Sequence, residues 1–226
     1  MLSGALFLAA TVWSTGMRRR WWLAVAAVGF LLVLLAAGLI WRNLSVERSV
    51  PFDPAQMRLQ SATVLDDDRP LPEFTLARAG GTFANSDLNG RWTMLFFGYT
   101  FCPDVCPTAL HLLKELRSKL AGRTVTLPQV VMVSVDPRDD SQTLSRYTSA
   151  FDPAFIGATA DDVGLAPLVK HLGVYYLRHD KDGKAGYVID HSAAIYLIDP
   201  RGRLKAVFPA PQTLPAMLQD YLALVT

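Results

Sequence analysis

Between Trp21 and Trp41 the chain carries no charged residue. As an α-helix rising 1.5 Å per residue, this run is about 31 Å long, enough to cross the hydrocarbon core of a bilayer. It divides the chain into a segment that prefers lipid and a remainder that must bury its own core. Trp21, Trp22 and Trp41 stand at the two ends, where amphipathic rings favour the membrane interface. Arg18, Arg19 and Arg20 precede the run and predict a cytoplasmic amino terminus, while Arg42 and Arg48 form a weaker counterweight offset by Glu47. The prediction is an uncleaved single-pass anchor at 21–41, with 1–20 cytoplasmic and the rest of the chain on the far side. A cleaved signal peptide is the competing reading, but its apolar core would be about 7–15 residues long and end in small residues. This run is longer and closes on Ile40-Trp41-Arg42. No cysteine stands at its end to accept a lipid. Leu6 to Trp13 is too short to span, and Met17 followed by three arginines is an alternative translation start to Met1.

Charge follows the same division. The net charge of +2 comes from 22 Lys+Arg and 20 Asp+Glu. Three of the basic residues are Arg18–Arg20, so the chain after Trp41 holds 19 basic and 20 acidic residues. A nearly neutral domain argues against nucleic acid as a partner. Hydrophobic residues make up 51% of the chain, which excludes wholesale disorder, and two cysteines are too few for a disulfide scaffold.

Residues 42–70 lack a clear period and end in Asp66-Asp67-Asp68-Arg69-Pro70, which reads as a tether. From Leu71 regular patterns begin, and 71–226 is the predicted domain. Phe74–Leu76 and Ala79–Phe83 predict a hairpin around a Gly-Gly turn. Trp92–Tyr99 and Val130–Val135 are continuous apolar runs suited to buried strands. Between them Leu110, Leu113, Leu116 and Leu120 recur at helical spacing over Val105–Leu120, with Gly122 as a stop. Ser141–Phe151, with Ser141 as its cap, and Asp161–His171, ended by Gly173, predict two more helices. Ala193–Ile198 and Leu204–Phe208 flank the turn Asp199-Pro200-Arg201-Gly202 and form a second hairpin, followed by an amphipathic helix over Thr213–Val225. The expected class is α/β with a mixed central sheet.

Both cysteines fall in Phe97-Gly98-Tyr99-Thr100-Phe101-Cys102-Pro103-Asp104-Val105-Cys106-Pro107, at the predicted strand–helix junction. At i and i+4 the two sulfurs share one helix face. The helix amino terminus favours thiolate over thiol, and proline is tolerated in a first turn. Three readings compete here. A structural disulfide would close so short a loop that it removes little chain entropy. A redox dithiol fits, although the usual motif has two intervening residues rather than three. A metal site also fits: two thiolates and an imidazole suit copper, and zinc accepts the same set. Of the four histidines, His111 lies on the cysteine helix facing away, His171 near a helix end, and His179 among charged residues. His191, in the loop Tyr187–Ser192 that enters the strand Ala193–Ile198, is the candidate third ligand; a capping or surface histidine is the alternative. Asp104 and Asp190 lie beside these residues in sequence, as candidate hydrogen-bond partners of the ligands or as solvated acids.

The stretch Gly98–Pro107, then Val135-Asp136-Pro137, then Asp190-His191-Ser192 with Tyr196–Gly202, together resemble the Sco/SenC family from about Leu71 to the end. The resemblance implies a thioredoxin-like fold with an inserted hairpin and copper, as Cu(I) or Cu(II), held by Cys102, Cys106 and His191. It implies assembly of the dinuclear copper centre of cytochrome c oxidase, through copper donation, reduction of the target cysteines by a redox-active Cys102–Cys106 pair, or both. The partners implied are the copper-bearing oxidase subunit, an upstream copper chaperone, a thiol reductant and the inner membrane. The expected location is the bacterial inner membrane with the domain in the periplasm, or else the mitochondrial inner membrane facing the intermembrane space. Two departures stand out. Phe101 occupies a position where many relatives carry His, and Asp136-Pro137-Arg138-Asp139-Asp140 places its arginine one position earlier than the usual Asp-Pro-x-Arg-Asp. Ordinary thioredoxin-like oxidoreductases carry a proline before the strand facing their cysteines; Asp190-His191-Ser192-Ala193 stands there instead. A general extracytoplasmic thiol–disulfide oxidoreductase and a membrane-tethered redox or copper sensor are the alternatives.

Overall fold

The computed structural model describes residues 25, 28–38, 59–65, 69–180 and 186–225, in two units divided between Asp53 and Pro54. In the first unit residues 28–38 are helical, and Val28, Phe30, Leu31, Leu32, Val33, Leu34 and Leu35 are each more than half exposed. These residues lie inside the predicted anchor. The rest of the anchor, apart from Val25, lies outside the described residues, as do the Arg18–Arg20 cluster and residues 1–16. Among the described residues no helix is long and apolar enough to cross a membrane.

The second unit is built on one mixed sheet. Its centre is three parallel strands, β4 (Thr93–Gly98), β5 (Gln129–Ser134) and β6 (Ile156–Thr159). Their crossovers are α1 (Val105–Leu120) between β4 and β5, and α2 (Ser141–Ser149) between β5 and β6. On the other side of β4 lies β9 (Ile195–Ile198), antiparallel to it and hairpinned to β10 (Leu204–Phe208). The outer strands are β2 (Thr75–Arg78) with β3 (Gly81–Ala84) at one edge and the short β1 (Thr63–Val64) at the other. Helix α3 (Asp162–Leu172) follows β6, and α4 (Leu214–Val225) closes the chain. A separate two-stranded hairpin, β7 (Tyr176–Asp180) and β8 (Tyr187–His191), stands between α3 and β9.

All six residues of β4 are buried because both sheet faces are covered. Met94 and Phe96 face a cluster with Leu110, Leu113, Leu116 and Leu120 of α1 and Met217 and Tyr221 of α4. Leu95 and Phe97 face the opposite cluster, with Leu76, Leu165, Leu168 and Ile189. The leucine spacing read from α1 is therefore its buried stripe.

The two expected hairpins are present as β2–β3 and β9–β10. Three details differ from the sequence reading. Asp140, not Ser141, caps α2, its carboxylate accepting the Thr143 N–H at 2.6 Å. His191 ends strand β8 rather than lying in a loop, because its segment pairs with Tyr176–Asp180. Residues 59–65, read as tether, join the domain: Thr63 and Val64 pair with β10, and the backbone N–H groups of Gln60, Ser61 and Ala62 donate to the Asp220 carboxylate.

Candidate metal centre

The topology brings three chain segments to one end of the sheet. Strands β4 and β5 run parallel, with Gly98 opposite Ser134, so their exits 99–104 and 135–140 lie side by side. β9 is antiparallel to β4 with Ile195 opposite Phe96, so the segment entering β9 arrives at the same end. The carboxyl end of such a sheet is where α/β folds place their sites.

The first exit is tightly held. Val135 N–H donates to the Gly98 carbonyl at 3.0 Å, and Cys102 N–H to that of Tyr99 at 3.2 Å. The buried Asp139 carboxylate accepts the Thr100 N–H at 2.8 Å, the Thr100 hydroxyl and the Ser134 hydroxyl at 2.7 Å. Both cysteines are free and buried, with Cys106 in the first turn of α1. Backbone Cys106 N–H donates to Cys102 Sγ at 3.4 Å. His191 Nε2 lies 3.4 Å from Cys106 Sγ and 4.0 Å from Cys102 Sγ. Its Nδ1 lies 3.2 Å from the Ser192 carbonyl, which can only accept, so the ring proton sits on Nδ1. The Nε2 lone pair is thereby turned toward the sulfurs. Tyr99 packs edge-on to the His191 ring at 5.9 Å, and its hydroxyl accepts the Ile189 N–H at 3.3 Å.

The two thiols are electrostatically unequal. The Cys106 thiol donating to it, against the opposing effect of burial and with help from His191, holds the Cys102 thiol down to about 4. Sharing that proton with Cys102, together with burial, pushes Cys106 strongly up. Cys102 is therefore the thiolate across the neutral range and Cys106 keeps the proton. The folded pKa of Cys102 is depressed, so the stability Cys102 contributes is full above the ordinary thiol value near 9 and is lost as pH falls toward about 4. The thiolate absorbance of the reduced chain is expected to show one group with a midpoint near pH 4. Two thiols titrating together near about 8.5 would contradict it.

Sγ of Cys102, Sγ of Cys106 and Nε2 of His191 all lie within 4.8 Å of one another, the one such group of three His, Cys, Asp or Glu residues among those described. Two soft sulfurs and a neutral imidazole fit copper. A model of the SCO1/SenC family matches residues 64–226. The chain belongs to the SCO1/SenC family. It is 36% identical over 174 residues to the protein SCO2 homolog, mitochondrial, of Mus musculus, covering 75% of this chain and 67% of that protein. Among solved structures, apo Sco1 from Thermus thermophilus superposes with a TM-score of 0.65 at 32% identity, covering 73% of this chain and 96% of that one. ScoI of Bradyrhizobium japonicum, solved with copper bound, superposes at 0.59 and 31% identity, covering 70% and 100%. The expected thioredoxin-like fold with a mixed sheet is thus the Sco fold.

In this SCO1/SenC chain the two neighbouring acids point their carboxylates elsewhere. Asp104 accepts from the Thr108 hydroxyl at 3.4 Å and offers Cys102 only its backbone N–H. Asp190 pairs with His179 across the β7–β8 hairpin at 2.9 Å, on an exposed face. His111 stacks edge-on against Phe151, away from the sulfurs. The sequence reading assigned no role to Asp136, Arg138, Asp139 or Tyr187, which surround the site. The run Asp136-Pro137-Arg138-Asp139-Asp140 was the visible trace of three of them.

Proposed function

We propose that this SCO1/SenC protein is a membrane-anchored copper metallochaperone and thiol reductant serving the dinuclear copper centre of cytochrome c oxidase. The observation that carries this reading is the convergence of two sulfurs and one imidazole nitrogen within 4.8 Å. The Cys102 and Cys106 thiolates and His191 Nε2 take up copper as cargo. Because Cys102 is already ionised near neutrality, its sulfur gives up no proton on uptake while Cys106 must lose one, and affinity falls as acid titrates the Cys102 thiolate. The reduced pair can also attack a target disulfide: one Cys sulfur forms a mixed disulfide, the second displaces it, and the target leaves with two thiols. The resulting Cys102–Cys106 disulfide no longer offers two thiolate ligands, so copper release and redox state are coupled. A cavity of about 240 Å3 reaches Cys106 and His191, walled by Val105, Ala109, Leu112, Ile195 and Pro211, which is room for a partner's side chain.

The uncharged run with its flanking tryptophans and the Arg18–Arg20 cluster supports a single-pass anchor at 21–41, with a cytoplasmic segment before it and a tether leading to the domain. The exposed apolar side chains of residues 28–38 need lipid or a partner to cover them. That orientation supports a bacterial inner membrane with the domain in the periplasm. Anaerobic copper titration of the reduced full-length chain is expected to give one tightly bound copper and sulfur-to-copper charge-transfer absorption, with negligible turnover on a generic disulfide. Rapid turnover without copper binding would favour a general oxidoreductase instead.

A further inference from the structure

His191 sits at the end of a two-stranded hairpin outside the main sheet, and two strands alone are marginal. Where its ring stands depends on what holds the hairpin to the cysteine loop. Tyr99 bridges that gap through its hydroxyl on the Ile189 N–H and its ring on His191, and a second set of contacts spans it beside Phe101. Arg138 Nε lies 3.1 and 2.9 Å from Asp136 Oδ1 and Oδ2, and Nη2 lies 2.6 Å from Oδ2, a bidentate pair on a fully buried carboxylate. The same guanidinium lies over the ring of Tyr187, in β8, at 3.8 Å, and over that of Phe101, beside Cys102, at 4.6 Å. The Tyr187 hydroxyl donates to Asp136 Oδ1 at 2.7 Å, which ties the same ring to the same carboxylate. Arginine is the side chain for this task, being planar, always charged, and able to stack and fork at once.

We propose that Arg138 is a positioning residue for His191, fastening the hairpin that carries it to the cysteine loop through the Phe101–Arg138–Tyr187 stack on Asp136. The proposal rests on the reading of His191 as a copper ligand. It gives the displaced arginine of Asp136-Pro137-Arg138 and the aromatic Phe101 a joint purpose: each supplies one layer of the stack.

Two thiolates satisfy Cu(I), whereas Cu(II) draws more on the imidazole. The effect of Arg138 should therefore appear where His191 matters. In the full-length chain, Arg138→Ala is expected to weaken Cu(II) binding about 10- to 100-fold by chelator competition, as loss of an orienting partner does. Cu(I) affinity should stay close to that of the parent. The decisive readout is the double variant. With His191→Ala already in place, adding Arg138→Ala should change Cu(II) affinity little, and the charge-transfer spectrum should match that of His191→Ala alone. Arg138→Lys keeps a charge on Asp136 but loses the planar fork, so it should show the same Cu(II) defect in a variant that keeps its fold, which covers failure of the alanine variant to fold. An unchanged Cu(II) affinity in folded Arg138→Lys and Arg138→Ala, or an equal loss with and without His191, would overturn the proposal. If His191→Ala itself leaves Cu(II) binding intact, the ligand reading fails, and the role of Arg138 with it.

Discussion

Gly98→Ala is expected to disable copper binding while the chain still folds. A Cβ on Gly98 would lie 2.6 Å from Cys106 Sγ and 3.3 Å from Met132 Cε, and the first of these distances is too short to exist. The methionine can swing aside. The sulfur cannot, because Cys106 is 1% exposed and sits in the first turn of α1, whose leucine stripe fixes the helix on the sheet. Relief must come from moving Sγ away from β4 or from lifting the start of α1. Either change opens the 3.4 Å approach to His191 Nε2 and the 3.4 Å bond from Cys106 N–H to Cys102 Sγ. Overpacking of this kind costs about 1–3 kcal/mol of stability, which a well-buried core survives. The metal site is less tolerant, and copper affinity should fall by about 100-fold, the upper end of what misplaced ligands lose. Chelator competition on the folded variant measures it; parental affinity would mean that the sulfur is not confined as described.

Asp220→Ala should strike stability and spare the metal. Asp220 is fully buried in α4. Its carboxylate accepts backbone N–H groups from Gln60 at 2.8 Å, Ser61 at 2.8 Å and Ala62 at 2.7 Å, and the Ser61 hydroxyl at 3.0 Å. Hydrogen bonds to a buried charge contribute about 1.5–3 kcal/mol each, although here the partly exposed segment can recover some of them from water. A net loss of about 3 kcal/mol is expected, which lowers Tm by roughly 6–12 °C for a domain of this size. The loss should be accompanied by fast amide exchange across residues 60–65, since β1 contributes only the pairs Thr63–Val207 and Val64–Ala206. Copper affinity should be unchanged. Retained exchange protection at 60–65 would show that the carboxylate is not what holds this segment.

Long, uniformly buried elements were legible because burial on both faces writes itself as an unbroken apolar run, as in Met94–Phe97, and a one-sided helix as the leucine spacing of α1. The short strands β2, β3 and β9 were marked by the turns beside them, whereas β6 and β8 were not legible. β6 is four residues, and the reason for its glycine lies in another segment: a Cβ on Gly157 would meet Leu144 backbone atoms at 2.8 and 2.9 Å. β8 escaped notice because Asp190 and His191 are polar and its pairing partner β7 carries Arg178 and His179. The partners of Asp220 lie about 160 residues away in sequence, so no local pattern announced that Gln60–Ala62 belong to the domain. At the site, the spacing of Cys102 and Cys106 and their place at a strand–helix junction were readable. The third ligand was not settled by chemistry alone; the family resemblance singled out His191, and the antiparallel pairing of β9 with β4 explains why it arrives there. Arg138 stood out only as a displaced arginine. The role proposed for it depends on Phe101, Asp136 and Tyr187 meeting from three segments, and no local pattern announces that meeting.

X-ray absorption at the copper edge of the loaded, reduced full-length protein shows which atoms hold the metal. Two sulfur scatterers and one histidine nitrogen are expected, the nitrogen signal vanishing in His191→Ala and one sulfur in Cys106→Ser. A copper shell made of oxygen and nitrogen alone, or one that is the same in both variants, would rule out a site built from Cys102, Cys106 and His191.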